Sequence, residues 1–240
     1  MTTNAAETLV REVRAELAAR ADPAKAAGMQ AYMKSAMPYR GVTAPIQKGI
    51  YRRLFTEHPL PDAGAWKTAA LALWRGAAFR EERYAAIELL SHRRYAVHRT
   101  LEALPIYEEM IVEGAWWDTV DALATHAVGD LLRDHPKRMR GTLLAWSRDA
   151  HLWKRRTSII CQVGFKEDTD LELLYACIEP NLADKDFFIR KAIGWALRAY
   201  AWVDGREVVR YVRAHEGALS GLSRREALKN VGKPARSKPR

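Results

Sequence analysis

The 240 residues are enough for one large domain or a compact helical array with a substantial buried core. Hydrophobic residues make up 48% of the chain, which excludes a disordered protein, and the near absence of Val/Ile/Thr alternation among Ala-, Leu-, Arg- and Glu-rich segments predicts little or no sheet. With 39 Lys and Arg against 29 Asp and Glu, the formal net charge is +10 and the pI is near 9.7, a balance that favours polyanions and puts nucleic acid first among partners.

Regular punctuation divides the chain into short helices. Asn4 and Glu7 have capping-box spacing and predict a first helix to about Ala21. Asp22-Pro23 pairs an N-cap with proline at the first helical position and opens a second helix to about Ala36. Pro38-Tyr39-Arg40-Gly41 reads as a connector, Thr43 as the cap of a helix to about Glu57, and His58-Pro59-Leu60-Pro61 as the next break. Further helices are expected at about 63–75, 79–92, 99–113, 117–134, 136–149, 152–163, 169–179, 186–202, 205–215 and 223–231. Lys233 to Arg240 holds four basic residues and two prolines and is expected to be a disordered tail. So many helices on such short connections predict stacked hairpins, with residues 1–232 as a single repeat domain.

Three of these helices carry a repeat. Segments beginning at Asp118, Trp153 and Phe188 start 35 residues apart, and their fourth residues are Asp121, Arg156 and Lys191. In a solenoid such equivalent positions align along one face. Trp117 lies four residues before Asp121, and Trp195 four after Lys191, so each indole shares a helical face with its charged neighbour. The expected site is a concave surface bearing one carboxylate, two cations and two indoles. Each part also has an ordinary reading. Tryptophans at helical spacing are most often core, Asp118 and Asp121 sit where the helix dipole favours carboxylates, and Lys154-Arg155-Arg156 would serve as a solvated basic face.

Other chemistries lack their motifs. Cys161 and Cys177 have neither CxxC spacing nor an evident activating partner, the seven histidines form no HExxH pair, and no GxGxxG, Walker or GxSxG loop occurs. Glu81-Glu82 and the acids of Glu167-Asp168-Thr169-Asp170 read as helix-start charges. The N-terminal residues lack the basic and apolar regions of a signal peptide, and no run approaches the length of a membrane span. A cytoplasmic protein with no membrane contact is expected.

The segment Ala115-Trp116-Trp117-Asp118-Thr119-Val120-Asp121, with Gly129-Asp130 downstream, resembles the signature of the AlkD-like DNA alkylation repair family. So does Asp186-Phe187-Phe188-Ile189-Arg190-Lys191-Ala192-Ile193-Gly194-Trp195-Ala196-Leu197-Arg198. Supporting matches are Trp153-Lys154-Arg155-Arg156, Tyr32-Met33-Lys34, Pro38-Tyr39-Arg40-Gly41-Val42 and Ser223-Arg224-Arg225-Glu226-Ala227-Leu228-Lys229. The resemblance spans roughly residues 8 to 231 and departs at Lys34-Ser35-Ala36-Met37, where an Asn-Phe pair is common.

What it implies is an all-α, curved superhelical solenoid of HEAT-like repeats that cradles duplex DNA and excises N3- and N7-alkylated purines as a monofunctional glycosylase, without base flipping. By motif, Asp121 matches the catalytic aspartate, Trp117 and Trp195 the tryptophans flanking the lesion's sugar, Arg156 a phosphate-contacting arginine, and Tyr32 an N-terminal tyrosine near the DNA. Lys191 would also meet backbone phosphates, and Arg155 and Lys34 join the DNA-binding candidates from the supporting segments. An alkylated purine already carries positive charge, so its departure needs no general acid. A carboxylate at C1′ stabilises the oxocarbenium ion, and indole faces favour the same charge, so neither metal nor cofactor is required. The expected partner is double-stranded DNA containing alkylated purines, with a monomeric protein and no obligate protein partner. The alternative is a non-catalytic HEAT-like repeat DNA-binding or scaffold protein that meets nucleic acid or a protein through the same concave face, and a peripheral membrane protein is a more distant one. A carboxylate in a basic row favours the enzyme, because phosphates would repel it.

Overall fold

The computed structural model describes residues 2–233, and among them every regular element is helical. The tail expected at 233–240 lies, Lys233 apart, outside the described residues. No described helix is long and apolar enough to cross a membrane. The chain divides into two compact units, Met1–Ile106 and Tyr107–Arg240. Helical repeats contact only their neighbours, so an array can divide without any break in the hydrophobic pattern that a sequence would reveal.

The first unit holds α1 (Thr2–Ala19), α2 (Pro23–Met33), α3 (Ala44–Glu57), α4 (Ala63–Arg75) and α5 (Arg80–Ser91), followed by 3₁₀ turns at Arg93–His98 and Leu101–Ala103. α1 already runs through Asn4, so that residue does not open it; it buries Leu9, Val13 and Leu17 along one face. Asp22 caps α2 through its side chain, as its spacing predicts. That helix stops short of Ala36 because Lys34 turns left-handed, at φ 50°, and its N–H closes on the Ala31 carbonyl. Trp66, Leu73, Trp74, Leu89 and Leu90 fill the centre, and the Trp66 indole N–H donates to the Leu89 carbonyl at 3.1 Å.

Glu81 and Glu82 do occupy the first turn of α5, but they are not solvated charges. Both are buried. The Glu81 carboxylate accepts backbone N–H groups from Arg40, Gly41 and Val42 at 2.9–3.2 Å, and so organises the connector that precedes α3. Arg14 and Arg40 bracket Glu82 at 3.0 and 3.4 Å. Gly41 is required in this connector: its φ is +84°, and a Cβ there would stand 2.1 Å from the Asp22 carbonyl oxygen.

The division between units falls within α6 (Leu104–Gly114). The second unit continues with α7 (Trp117–Ala122), a π-helical stretch (Leu123–Val128), α8 (Gly129–Asp134), α9 (Pro136–Trp146), α10 (Leu152–Ile160), α11 (Leu171–Ile178), α12 (Phe187–Tyr200), α13 (Gly205–Ala214) and α14 (Gly221–Ala227). These form two layers. In one, α7 packs on α10, α10 on α12, and α12 on α14; in the other, α9 meets α11, and α11 reaches α13 through stacked Tyr175 and Tyr211 rings, 4.2 Å apart. Bonds recur at nearly the repeat length: the Asn181 amide donates to the Ser147 carbonyl at 2.8 Å, and the Cys177 thiol to Leu143 at 3.8 Å. The close approach of α12 to α14 depends on Gly194, where a Cβ would lie 2.4 Å from the Cβ of Glu226.

Candidate active site

The site grows from a turn that the sequence marks with paired tryptophans. Ala115 takes a left-handed φ of 37°, an uncommon state for a residue with a side chain, and turns the chain from α6 into α7. Trp116 then points into an aromatic cluster with Trp153 and Phe188, with centroids 6.2 and 5.2 Å from its own, while Trp117 stays 36% exposed. Adjacent residues on a helix start face different ways, so one indole builds the core and the other remains available to a partner.

One turn on, the Asp121 carboxylate meets Arg156 of α10 in a two-pronged pair. Arg156 Nε donates to Oδ1 at 2.7 Å and Nη2 to Oδ2 at 2.8 Å. Arg156 is itself buried, and its Nη1 donates to the Phe188 carbonyl of α12 at 2.6 Å. The guanidinium thus ties three successive helices of one layer together. Asp121 keeps 18% of its side chain exposed, so the anchored carboxylate still opens to solvent. Burial pushes its carboxyl above the ordinary aspartate value; hydrogen bonding and charge from Arg156 oppose this, and Asp118 adds to it. The π-helical stretch begins two residues later, where Thr125 Oγ1 donates to the Asp121 carbonyl at 2.8 Å.

The 35-residue offset therefore appears as contact. It also continues past the residues it was read from. Lys191 pairs with Glu226 at 3.1 Å, and Glu226 stands a further 35 positions along the chain. This residue was missed as a site element, although extending the series 121, 156, 191 by one step finds it. Arg198 and Lys229 also bind Glu226. Burial works against the Glu226 carboxylate, yet these lysines and the arginine hold its pKa below the ordinary value.

The remaining candidates fall in different places. Trp195, one turn beyond Lys191 on α12, is half-buried. Arg155 is taken up within the protein: it pairs with Asp184 at 3.0 Å and donates to the carbonyls of Asp149 and Ala150. Its neighbour Lys154 pairs with Glu108 and Asp149, so the basic run 154–156 is not a solvated face. Tyr32 and Lys34 belong to the first unit, where Tyr32 is 78% exposed beside a cavity of about 330 Å³ lined by Met29, Met33, Tyr39 and Tyr84. Cys161 and Cys177 are buried, and burial pushes both thiols up, Cys177 to about 12, which makes them poor nucleophiles.

The family model for DNA alkylation repair enzymes matches residues 13–231. A solved structure of a predicted DNA alkylation repair enzyme from Enterococcus faecalis is 28% identical and superimposes with a TM-score of 0.80 over 90% of this chain and 98% of that one. No curated protein matches the sequence. The chain belongs to the DNA alkylation repair enzyme family.

Proposed function

We propose that this member of the family is a monofunctional DNA glycosylase that releases cationic N3- and N7-alkylated purines from duplex DNA. The observation that carries the reading is Asp121: a carboxylate fixed by a buried arginine, open to solvent on its other side, and raised in pKa by its surroundings. A surface that only bound phosphate would have no use for it.

In this mechanism the C1′–N bond breaks and its electron pair moves to the purine nitrogen, neutralising the charge that alkylation placed on the base. Asp121 faces the oxocarbenium ion that remains on the deoxyribose. Water then adds to C1′ and gives its proton to Asp121 or to solvent, leaving an abasic site and a neutral alkylpurine. The Arg156 fork occupies one lone pair on each Asp121 oxygen, and the others remain for sugar and water. Arg156 acts as a positioning residue. Three of its five N–H groups are used within the protein and its side chain is only 6% exposed, so it serves the site by holding Asp121. Trp117 and Trp195 offer indole faces to the same positive charge, each contributing about 0.5–2 kcal/mol. The protein is proposed to work as a cytoplasmic monomer.

The fork also favours a second reading, in which Asp121 and Arg156 form a purely structural pair within a DNA-binding protein. Release of N7-methylguanine and N3-methyladenine from methylated duplex separates the two. Release by the wild type, lost in Asp121→Asn with duplex binding retained, supports the glycosylase. Absence of release from both, with binding intact, supports the structural pair.

A further inference from the structure

The two layers of the second unit differ in what they show to solvent. In the α7–α10–α12–α14 layer, Arg156 pairs with Asp121 and Lys191 with Glu226. α13, in the other layer, buries Val208, Tyr211 and Val212 and turns Arg206, Arg210 and Arg213 outward. Their spacing of four and three residues places them in one stripe about 10 Å long. The stripe borders an open groove of about 860 Å³, whose other walls are the α12–α13 turn, with Trp202 and Asp204, and the segment ending at Lys233. Arg210 is held by Glu207, but Arg206 and Arg213 pair with no carboxylate among the described residues. The Asp204 carboxylate accepts the N–H groups of Arg206 and Glu207 and so caps α13. The groove's surplus is thus positive. A terminal repeat needs a polar outer face, but polarity alone does not call for Arg206, Arg210, Arg213 and Lys233 to gather at one groove.

We infer that this groove is a second contact for the phosphate backbone of duplex DNA, separate from the Asp121 layer. The inference rests on the proposed reading in so far as that layer engages the damaged duplex. Duplex DNA is stiff over about 150 base pairs, so a short segment held against one layer does not wrap onto the other. The groove therefore holds a second segment, and one molecule can bridge two. The chain that continues from Lys233 carries Arg236, Lys238 and Arg240, which share the groove's sign and make it a poor occupant.

The test uses the full chain bound to an immobilised, undamaged short duplex, to which a second, fluorescent duplex is added. Wild type should capture the second duplex. Arg206→Gln/Arg213→Gln should lose most of that capture, roughly tenfold or more. The slope of log affinity against log salt should also shallow by about two, one for each phosphate contact removed. Both residues are exposed, and unchanged circular dichroism would show that the fold is intact. Single-turnover release of methylated bases should be the same in both proteins. Equal capture by wild type and variant, or none by wild type, overturns the inference whatever the release assay shows. Capture that depends on the two arginines, with no base release from wild type, leaves the groove standing and removes the glycosylase reading.

Discussion

Asp121–Arg156 and Lys191–Glu226 are two rungs of one ladder, set at the same repeat positions and built with opposite polarity. Their carboxylates differ in company. Glu226 is almost fully buried and met by three cations, which hold it below its ordinary pKa despite the burial. Asp121 has one cation, partial exposure and a raised pKa. Glu81, in the other unit, is a third case: a buried carboxylate saturated by backbone N–H groups. The difference lies in lone pairs. A carboxylate whose oxygens are all engaged holds a structure together, whereas one bound along a single edge keeps an edge for chemistry.

The largest expected effect comes from removing the charge on the spare carboxylate. Asp121→Asn should lower base release by about 10²–10⁴-fold in single-turnover kinetics. Glu226→Gln should leave release within a few-fold of wild type, and equal losses in the two variants would erase the contrast between the rungs. Next in size is Arg156→Ala, which strands the mostly buried Asp121 carboxylate and should cost about 3 kcal/mol in denaturant unfolding. A loss below about 1 kcal/mol would show that Asp121 is wetter than its burial implies. A smaller effect is expected at Trp117, whose indole is 36% exposed. Trp117→Ala should slow release by the equivalent of about 0.5–2 kcal/mol, with little change in the unfolding midpoint. The fully buried Trp66 offers the reverse comparison, because its replacement by Ala should cost about 3–5 kcal/mol of stability.

How far these contrasts can be read from the sequence depends on their range along the chain. Helix boundaries are local: Asp22 caps α2 through its side chain, as the Asp22-Pro23 pair predicts, and the structure adds side-chain caps at Asp62, Asp170, Asp186 and Asp204. The offset of 35 residues also survives in one dimension, and it leads directly to the contact between Asp121 and Arg156. Burial of charge does not. Nothing beside Glu81 and Glu82 announces that a glycine-bearing connector 40 residues earlier will close over them, because their partners are backbone N–H groups that every residue supplies. The basic run 154–156 misleads because, Asp149 apart, its carboxylates come from distant positions, Glu108, Asp121 and Asp184. The aromatic triad of Trp116, Trp153 and Phe188 lies partly within the repeat, but its inward direction depends on the left-handed turn at Ala115.

The smallest effects are those of pH on stability, and here the two rungs should move in opposite directions. Glu226 has a folded pKa below the ordinary glutamate value of about 4.5. Its contribution is present above that value and is lost as pH falls through the lower folded one. Asp121 has a folded pKa above the ordinary aspartate value of about 3.8. Between those two values the folded protein binds more protons than the unfolded chain, so stability declines as pH rises through the window. Glu226→Gln should therefore lose roughly 1–2 kcal/mol near neutrality, with a flatter stability profile below about pH 4.5, because its cations are partly exposed and can turn to water. Asp121→Asn should remove the opposite slope above about pH 3.8. Urea titrations of both variants at several pH values check this. Slopes of the same sign would mean that Arg156 holds Asp121 charged as firmly as three cations hold Glu226. The acid limb of base release would then fall within the ordinary carboxylate range, not above it.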